Sequence, residues 1–298
     1  MMKKKGVTVA RMIDEGFRLF LDSLIPGDDE SYVSEDCRED IKECLDDNFG
    51  LYAFFPGGSF LNGTSIRGYG GVDYLASVDF DSVPDDSVSF LTEVSDALDR
   101  RFPNTGVAVR TPAVVVPLGV DSAKTIGVIP ARLAGQTSDG YRIYAIADGT
   151  GGWMKSSPDA HSAYIAAIDR DRDGKLRPLI RFLKAWKYFR NAAISSFYLE
   201  LRCTEYASGE KMIVYSVDFR SVLELLWDDQ LADVYDREGV AGRVSARSAG
   251  VDREAALSRL RSAIYHTTRA QETAAQGDVE EAFRYWNRVF NRRFPAYG

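Results

Sequence analysis

Three stretches of this chain carry residues whose types and spacing could do chemistry. Residues 57–59 are Gly-Gly-Ser, followed by Asn62-Gly63-Thr64 and then a strand-like run that carries Asp73. Gly57 and Gly58 permit a sharp turn that brings backbone N–H groups close to an anion. Ser59 adds a hydroxyl, and a short helix after it would add its positive end. Taken alone, such a turn is more often a plain loop than a phosphate site. A second stretch starts at Leu176, where Leu179, Ile180, Leu183 and Trp186 form an apolar arc. That arc leaves Arg177, Arg181, Lys184 and Tyr188 as a basic stripe, which can meet phosphate or simply face solvent. The third runs from 284 to 293, where Arg284, Arg288, Arg292 and Arg293 interleave with Tyr285, Trp286 and Phe290. Charges and rings in that order could track a nucleic acid. The plainer reading is a terminal helix with its rings inward and its arginines in water. His161 and His266 are the two histidines, and neither sits in a nucleophile arrangement.

These residues need elements to hold them. With 298 residues, 45% hydrophobic and 27% charged, the chain can bury a substantial core and has an ordinary globular balance. No run approaches the roughly 20 apolar residues that span a bilayer. The start, Met1-Met2-Lys3-Lys4-Lys5-Gly6, leads into Asp14 and Glu15 rather than an apolar signal core, so the expected location is the cytoplasm, with no membrane association. Cys37, Cys44 and Cys203 form no metal-ligand cluster and are expected to be reduced and structural. A net charge of −7 argues against a generic nucleic-acid coat. Ten acids against two bases between Asp28 and Asp47 read as a solvated face.

Helical spacing starts at Val9 and ends at Pro26-Gly27, and Ser34 is expected to cap a second helix carrying Ile41, Cys44 and Leu45. Strands are expected at 52–56 and 72–80, then a helix at 87–102 with Val88, Leu91, Val94 and Leu98 inward. Further strands are expected at 106–110, 113–118, 125–129 and 141–146. After Pro158 the pattern is helical, with helices at 159–170, 176–191, 196–207, 217–231, 253–276 and 279–290, and 239–250 reads as a mobile loop. The expected fold is α+β in two lobes: residues 1–158 with the mixed sheet and the N-terminal helices, and residues 159–298 as a helical lobe, with a cleft between them.

The motifs together resemble the bacterial CD-NTases, of the DNA polymerase beta-like nucleotidyltransferase superfamily. These are relatives of cyclic GMP-AMP synthase and oligoadenylate synthase that join nucleotides into second messengers for antiviral (CBASS-type) defence. The resemblance runs nearly end to end. It rests on Gly58-Ser59, Asn62-Gly63-Thr64, Val72-Asp73-Tyr74-Leu75, Val128-Ile129-Pro130-Ala131 and Asp148-Gly149 with Gly151-Gly152-Trp153-Met154. It continues through 179–187, 195–200 and the closing Phe294-Pro295-Ala296-Tyr297-Gly298.

The resemblance implies a nucleotidyltransferase core. Gly58 and Ser59 would hold the donor triphosphate, and carboxylates at positions 71, 73 and 127 would hold two Mg²⁺ ions. This chain has Gly71 and Gly127, so Asp73 is the one remaining catalytic and metal-binding carboxylate. Asp79, on the same strand, would lie about 20 Å away. Asp81 lies farther along the same face, and Asp121 and Asp148 would each need a fold-back to reach the site. The resemblance further points to Lys184 as the triphosphate lysine, with Lys187 competing, to Ser196 as a phosphate-contacting hydroxyl, and to Phe197 as a base-stacking ring. Mg²⁺ binding is then expected to be weak or nucleotide-dependent, with Mn²⁺ as a substitute.

Three functions follow from these expectations. First comes a catalytically silent or impaired nucleotide-binding protein of antiviral signalling, taking a nucleoside triphosphate or oligonucleotide and an antiviral-system protein partner. Second is an active enzyme making a cyclic or linear oligonucleotide from NTPs, and third a protein-interaction scaffold. Restoring acids as Gly71→Asp with Gly127→Glu is expected to recover transfer.

Overall fold

The computed structural model describes residues 9–27, 35–69, 71–79, 83–118, 125–236, 240, 242–246 and 252–298. In chain order the first half runs β1 (Val9–Ala10), α1 (Ile13–Leu24), α2 (Glu35–Phe49), β2 (Leu51–Pro56), α3 (Gly58–Leu61), β3 (Val72–Val78) and α4 (Ser87–Arg101). β4 (Ala108–Arg110), β5 (Ala113–Pro117), β6 (Thr125–Gln136), β7 (Arg142–Ala147) and β8 (Trp153–Ser156) follow. The second half runs α5 (Pro158–Asp171), α6 (Leu176–Phe189), α7 (Ser196–Gly209), α8 (Tyr215–Asp228), β9 (Val234–Tyr235) and β10 (Arg243–Val244). It closes with α9 (Arg253–Ala275), α10 (Val279–Val289) and β11 (Ala296–Tyr297). The architecture is α+β, as the pattern of the sequence implied.

The chain divides into two compact units, and the division differs from the expected one. One unit is residues 26–166 with 235–243, and the other is 1–25, 167–234 and 244–298. Helix α1 therefore groups with the C-terminal helices rather than with the sheet. The cause is aromatic: Phe17 lies 4.8 Å from the Trp286 ring, and Phe20 lies 4.5 Å from Phe290, measured between centroids. Each such side chain contributes roughly 1.5–3 kcal/mol when fully buried. Val9, expected to begin the helix, instead pairs in parallel with Ala296. Phe294, five residues past α10, closes the same cluster against both Phe17 and Phe20.

In the sheet unit the strand order is β2-β3-β6-β5-β4, with β7 on β6 and β8 on β7. Only β3 and β6 run parallel among these pairs. One face of the sheet, carrying Val72, Tyr74, Ala76, Val114, Ile126 and Val128, packs on α2 and α4 through Ile41, Leu45, Phe90, Val94 and Leu98. The alternate residues of β3 and β6 point the other way, where Leu75, Ala131, Tyr144 and Ile146 form a smaller cluster. Helix α4 starts where Asp86 accepts from Ser89 N–H at 2.7 Å, a cap worth about 1 kcal/mol. Its exposed first-turn residue is Val88, placed inward by the sequence pattern, and Phe90 takes the core position instead. The Ser34 cap lies outside the described residues, as does half of the 239–250 loop. Cys44 and Cys203 are buried and Cys37 is half-buried. Burial raises all three thiol pKa values, Cys203 well above the ordinary value.

Candidate nucleotide site

Strand, turn, short helix and second strand appear where the glycine motif placed them. After β2 the Gly57 N–H donates to the main-chain oxygen of Asp73 at 2.8 Å. Gly58 has φ +55°, in the left-handed region that only glycine enters without cost. A Cβ there would stand 2.8 Å from Asp73 Oδ2. Helix α3 is four residues long, too short to build a macrodipole, so the anticipated positive helix end contributes little. What remains to attract an anion is local N–H groups and Ser59, whose hydroxyl accepts from Ser65 Oγ at 3.3 Å. Asn62 and Thr64 are buried and shape the turn rather than face a ligand.

Asp73 stands directly across from Gly127 on the neighbouring parallel strand. A Cβ on Gly127 would fall far inside contact distance of Asp73 Oδ1, so the carboxylate fills the space of the absent side chain. Gly71 is closed more firmly. There a Cβ would overlap the main-chain oxygen and the hydroxyl of Thr125, and main chain cannot rotate aside. Thr125 was not among the residues singled out from sequence. Nor do other acids converge: among the described residues no three His, Cys, Asp or Glu side chains gather as a metal shell. Asp79 follows the far end of β3, with its N–H on Gly50 O at 2.8 Å. Asp148 is consumed by its own loop, accepting from Thr150 N–H at 2.7 Å and Gly152 N–H at 3.1 Å. Those bonds, led by the one from Thr150, hold its carboxyl below the usual range. Asp81 and Asp121 lie outside the described residues.

The helical unit corrects the basic stripe. Lys184, read as facing outward, is 2% exposed and pairs with equally buried Glu200 at 2.8 Å. Arg177 pairs with Asp169 at 2.6 Å, and burial followed by the charge of Arg177 lowers the pKa of Arg181. The stripe is thus neither an open phosphate track nor a solvated face. One turn on, Lys187 Nζ donates to Ser196 Oγ at 2.6 Å, and Tyr188 Oη lies 3.3 Å from the same oxygen. Burial, then the nearby Lys184 charge, pulls the Lys187 pKa down to about 8. Ser196 begins α7, Ser195 caps it, and Phe197 follows half-buried. The structure therefore joins Ser196 to Lys187, the competing lysine, and leaves Lys184 inside. One signal for this was in the sequence. Lys184 and Glu200 each sit within apolar runs, Leu183 to Trp186 and Tyr198 to Cys203.

No protein-family model matches the chain. It is 25% identical over 177 residues, 57% of its length, to a "Probable cyclic nucleotide synthase" of Bacillus cereus (strain VD146), and that match spans about half (51%) of the relative. It is 24% identical over 268 residues to a cyclic AMP-AMP-AMP synthase of Acinetobacter sp., covering 81% of this chain and 72% of that protein. In structure it matches Escherichia coli MS115-1 CdnC solved with ATP at TM-score 0.71 and 18% identity, over 94% of this chain and 98% of that one. The same CdnC has been solved in a complex with HORMA-deltaN. The Bradyrhizobium diazoefficiens CD-NTase CdnG, in complex with GTP, matches at TM-score 0.68 and 14% identity, over 95% and 98% of the two chains. This chain has the CD-NTase fold.

For a CD-NTase fold, the donor set at the sheet motif is the test of a two-metal centre. A pair of Mg²⁺ ions needs several hard oxygen ligands in near-octahedral geometry. Asp73 offers one carboxylate, Gly127 offers none, and Gly71 has no room for a side chain unless the Thr125 main chain shifts. The residues present do not fit a pair of divalent ions. The expected rescue by Gly71→Asp with Gly127→Glu meets the same obstacle at Thr125. No described helix is long and apolar enough to cross a membrane.

Proposed function

We propose that this CD-NTase-fold protein binds nucleoside triphosphate and does not transfer nucleotides, acting as a nucleotide-responsive component of antiviral signalling with a protein partner. The observation that supports the reading is that Thr125 fills the space a side chain at Gly71 would need, while Lys187, Ser196 and Tyr188 form one hydrogen-bonded group. An ammonium and a hydroxyl held together are suited to phosphate oxygens, since charge-assisted bonds to phosphate are among the stronger ones. Phe197, next to Ser196, offers a ring for the base; in the sheet unit, considered by itself, Gly57, Gly58 and Ser59 offer phosphate contacts and Asp73 a single carboxylate for a hydrated Mg²⁺ or Mn²⁺ carried by the nucleotide. The ATP- and GTP-bound relatives support the ligand class, and the HORMA-deltaN complex supports a protein partner.

The second reading, an active synthase, is favoured by the likeness to the cyclic AMP-AMP-AMP synthase along most of the chain. One pair of measurements separates them. Calorimetry with ATP, GTP, CTP and UTP should show binding that Lys187→Ala weakens about tenfold, the effect of losing one charge-assisted bond. Labelled triphosphates with Mg²⁺ or Mn²⁺ should yield no product. A product whose formation stops in Asp73→Ala establishes the synthase. The absence of heat with every triphosphate leaves the scaffold reading.

A further inference from the structure

Helices α9 and α10 carry a strip of cations that nucleotide binding does not use. Arg259, His266 and Arg269 share one face of α9 over about 15 Å of helix. Arg288 joins them from α10 and Arg190 from the end of α6. The Arg288 and Arg269 guanidinium groups lie 4.6 Å and 5.8 Å from the Tyr285 ring centroid. His266 stands 6.1 Å from the same ring and 5.2 Å from that of Tyr265, which is 58% exposed.

Compensation along this strip is poor. Arg269 has Glu272, but Arg288 reaches Glu281 only at 3.8 Å, and Glu281 bonds Arg284 at 3.0 Å. Among the described residues no carboxylate pairs with Arg190 or Arg259. Arg190 Nε donates to Val289 O at 3.1 Å, which pins its fork beside the strip. Burial, then Arg259, lowers the Arg190 pKa, and burial, then Arg288 and Arg190, lowers that of His266. The buried Nδ1 of His266 has no hydrogen-bond partner.

We propose that this strip binds a single-stranded oligonucleotide through its phosphodiester groups. Gathered guanidinium groups repel one another until an anion joins them, and their planar forks match phosphate oxygens. The exposed Tyr265 ring beside them offers a stacking plane for a base. Arg284, the first arginine of the terminal segment, is not part of the strip, because Glu280 and Glu281 neutralise it. The proposal does not depend on nucleotide binding at Lys187.

The test is fluorescence anisotropy of the full chain with labelled oligothymidine and oligouridine of about 20 nucleotides, titrated across about 50–200 mM salt. Arg259→Ala and Arg288→Ala should each weaken binding and reduce the slope of log affinity against log salt by about 0.7. Arg18→Ala, on α1 and already beside the carboxylate of Asp22, should change neither. No binding at low salt overturns the proposal, as does a slope that both strip variants leave intact. Displacement by excess ATP would assign the strand to the nucleotide site, and equal binding of polyglutamate would remove the ligand class. Either result also overturns it.

Discussion

In the sheet unit the polar groups around Asp73 are backed by glycines, and neighbouring atoms occupy the space that side chains at 71 and 127 would need. In the helical unit the polar groups are backed by one another, with Lys184 held by Glu200 and Ser196 by Lys187. The contrast has a physical basis. A carboxylate whose partner is a metal ion contributes nothing to an apo core, and its loss leaves a gap that main chain can fill. A buried lysine that pairs with a glutamate cannot be lost so cheaply, because its partner would be left charged and desolvated.

The largest expected effect attacks the helical side of this contrast. Lys184→Ala should cost about 3–5 kcal/mol in denaturant unfolding, and the paired change Lys184→Met with Glu200→Leu far less. If both lose equally, the pair is not what holds α6 to α7. Next, Gly71→Ala should destabilise the chain by about 1–3 kcal/mol through overpacking against Thr125 main chain. Gly127→Ala meets only the end of the Asp73 side chain and should lose about 1 kcal/mol. Melting temperatures that rank the two in the opposite order would break the comparison. For the same reason Gly71→Asp with Gly127→Glu should gain no transferase activity.

The smallest effect is in pH. Lys187 titrates at about 8 in the folded chain against an ordinary value of 10.5. Below 8 both folded and unfolded chains hold the proton, and the cost of burying the ammonium is fully present. Between about 8 and 10.5 the unfolded chain holds a proton that the folded one has shed, so stability rises with pH across that window. Triphosphate affinity should move the other way, falling as pH passes 8. Lys187→Met should flatten both curves, measured by urea melts and calorimetry in matched buffers.

Much of the fold was legible because its signals are local. The helices after Pro158 follow from apolar periodicity, and β2, α3 and β3 from the Gly57 to Asp73 motif. The membership of α1 was not, because Phe17 and Phe20 look the same whether they pack on a sheet or on Trp286 and Phe290. Position 71 shows the same limit. A glycine reads as a lost carboxylate, but the oxygen atoms that fill its place belong to Thr125, remote in sequence. Lys184 and Lys187 are one turn apart, and only the placement of α7 decides which of them meets Ser196.

Burial raises the thiol pKa of Cys37, Cys44 and Cys203, so all three are expected to react more slowly with electrophiles than an exposed thiol. A single new cysteine on an exposed position would therefore be the one fast site for a maleimide dye or a spin label. Single-molecule distance measurements become practical on an otherwise native background, without first stripping the molecule of its own sulfur.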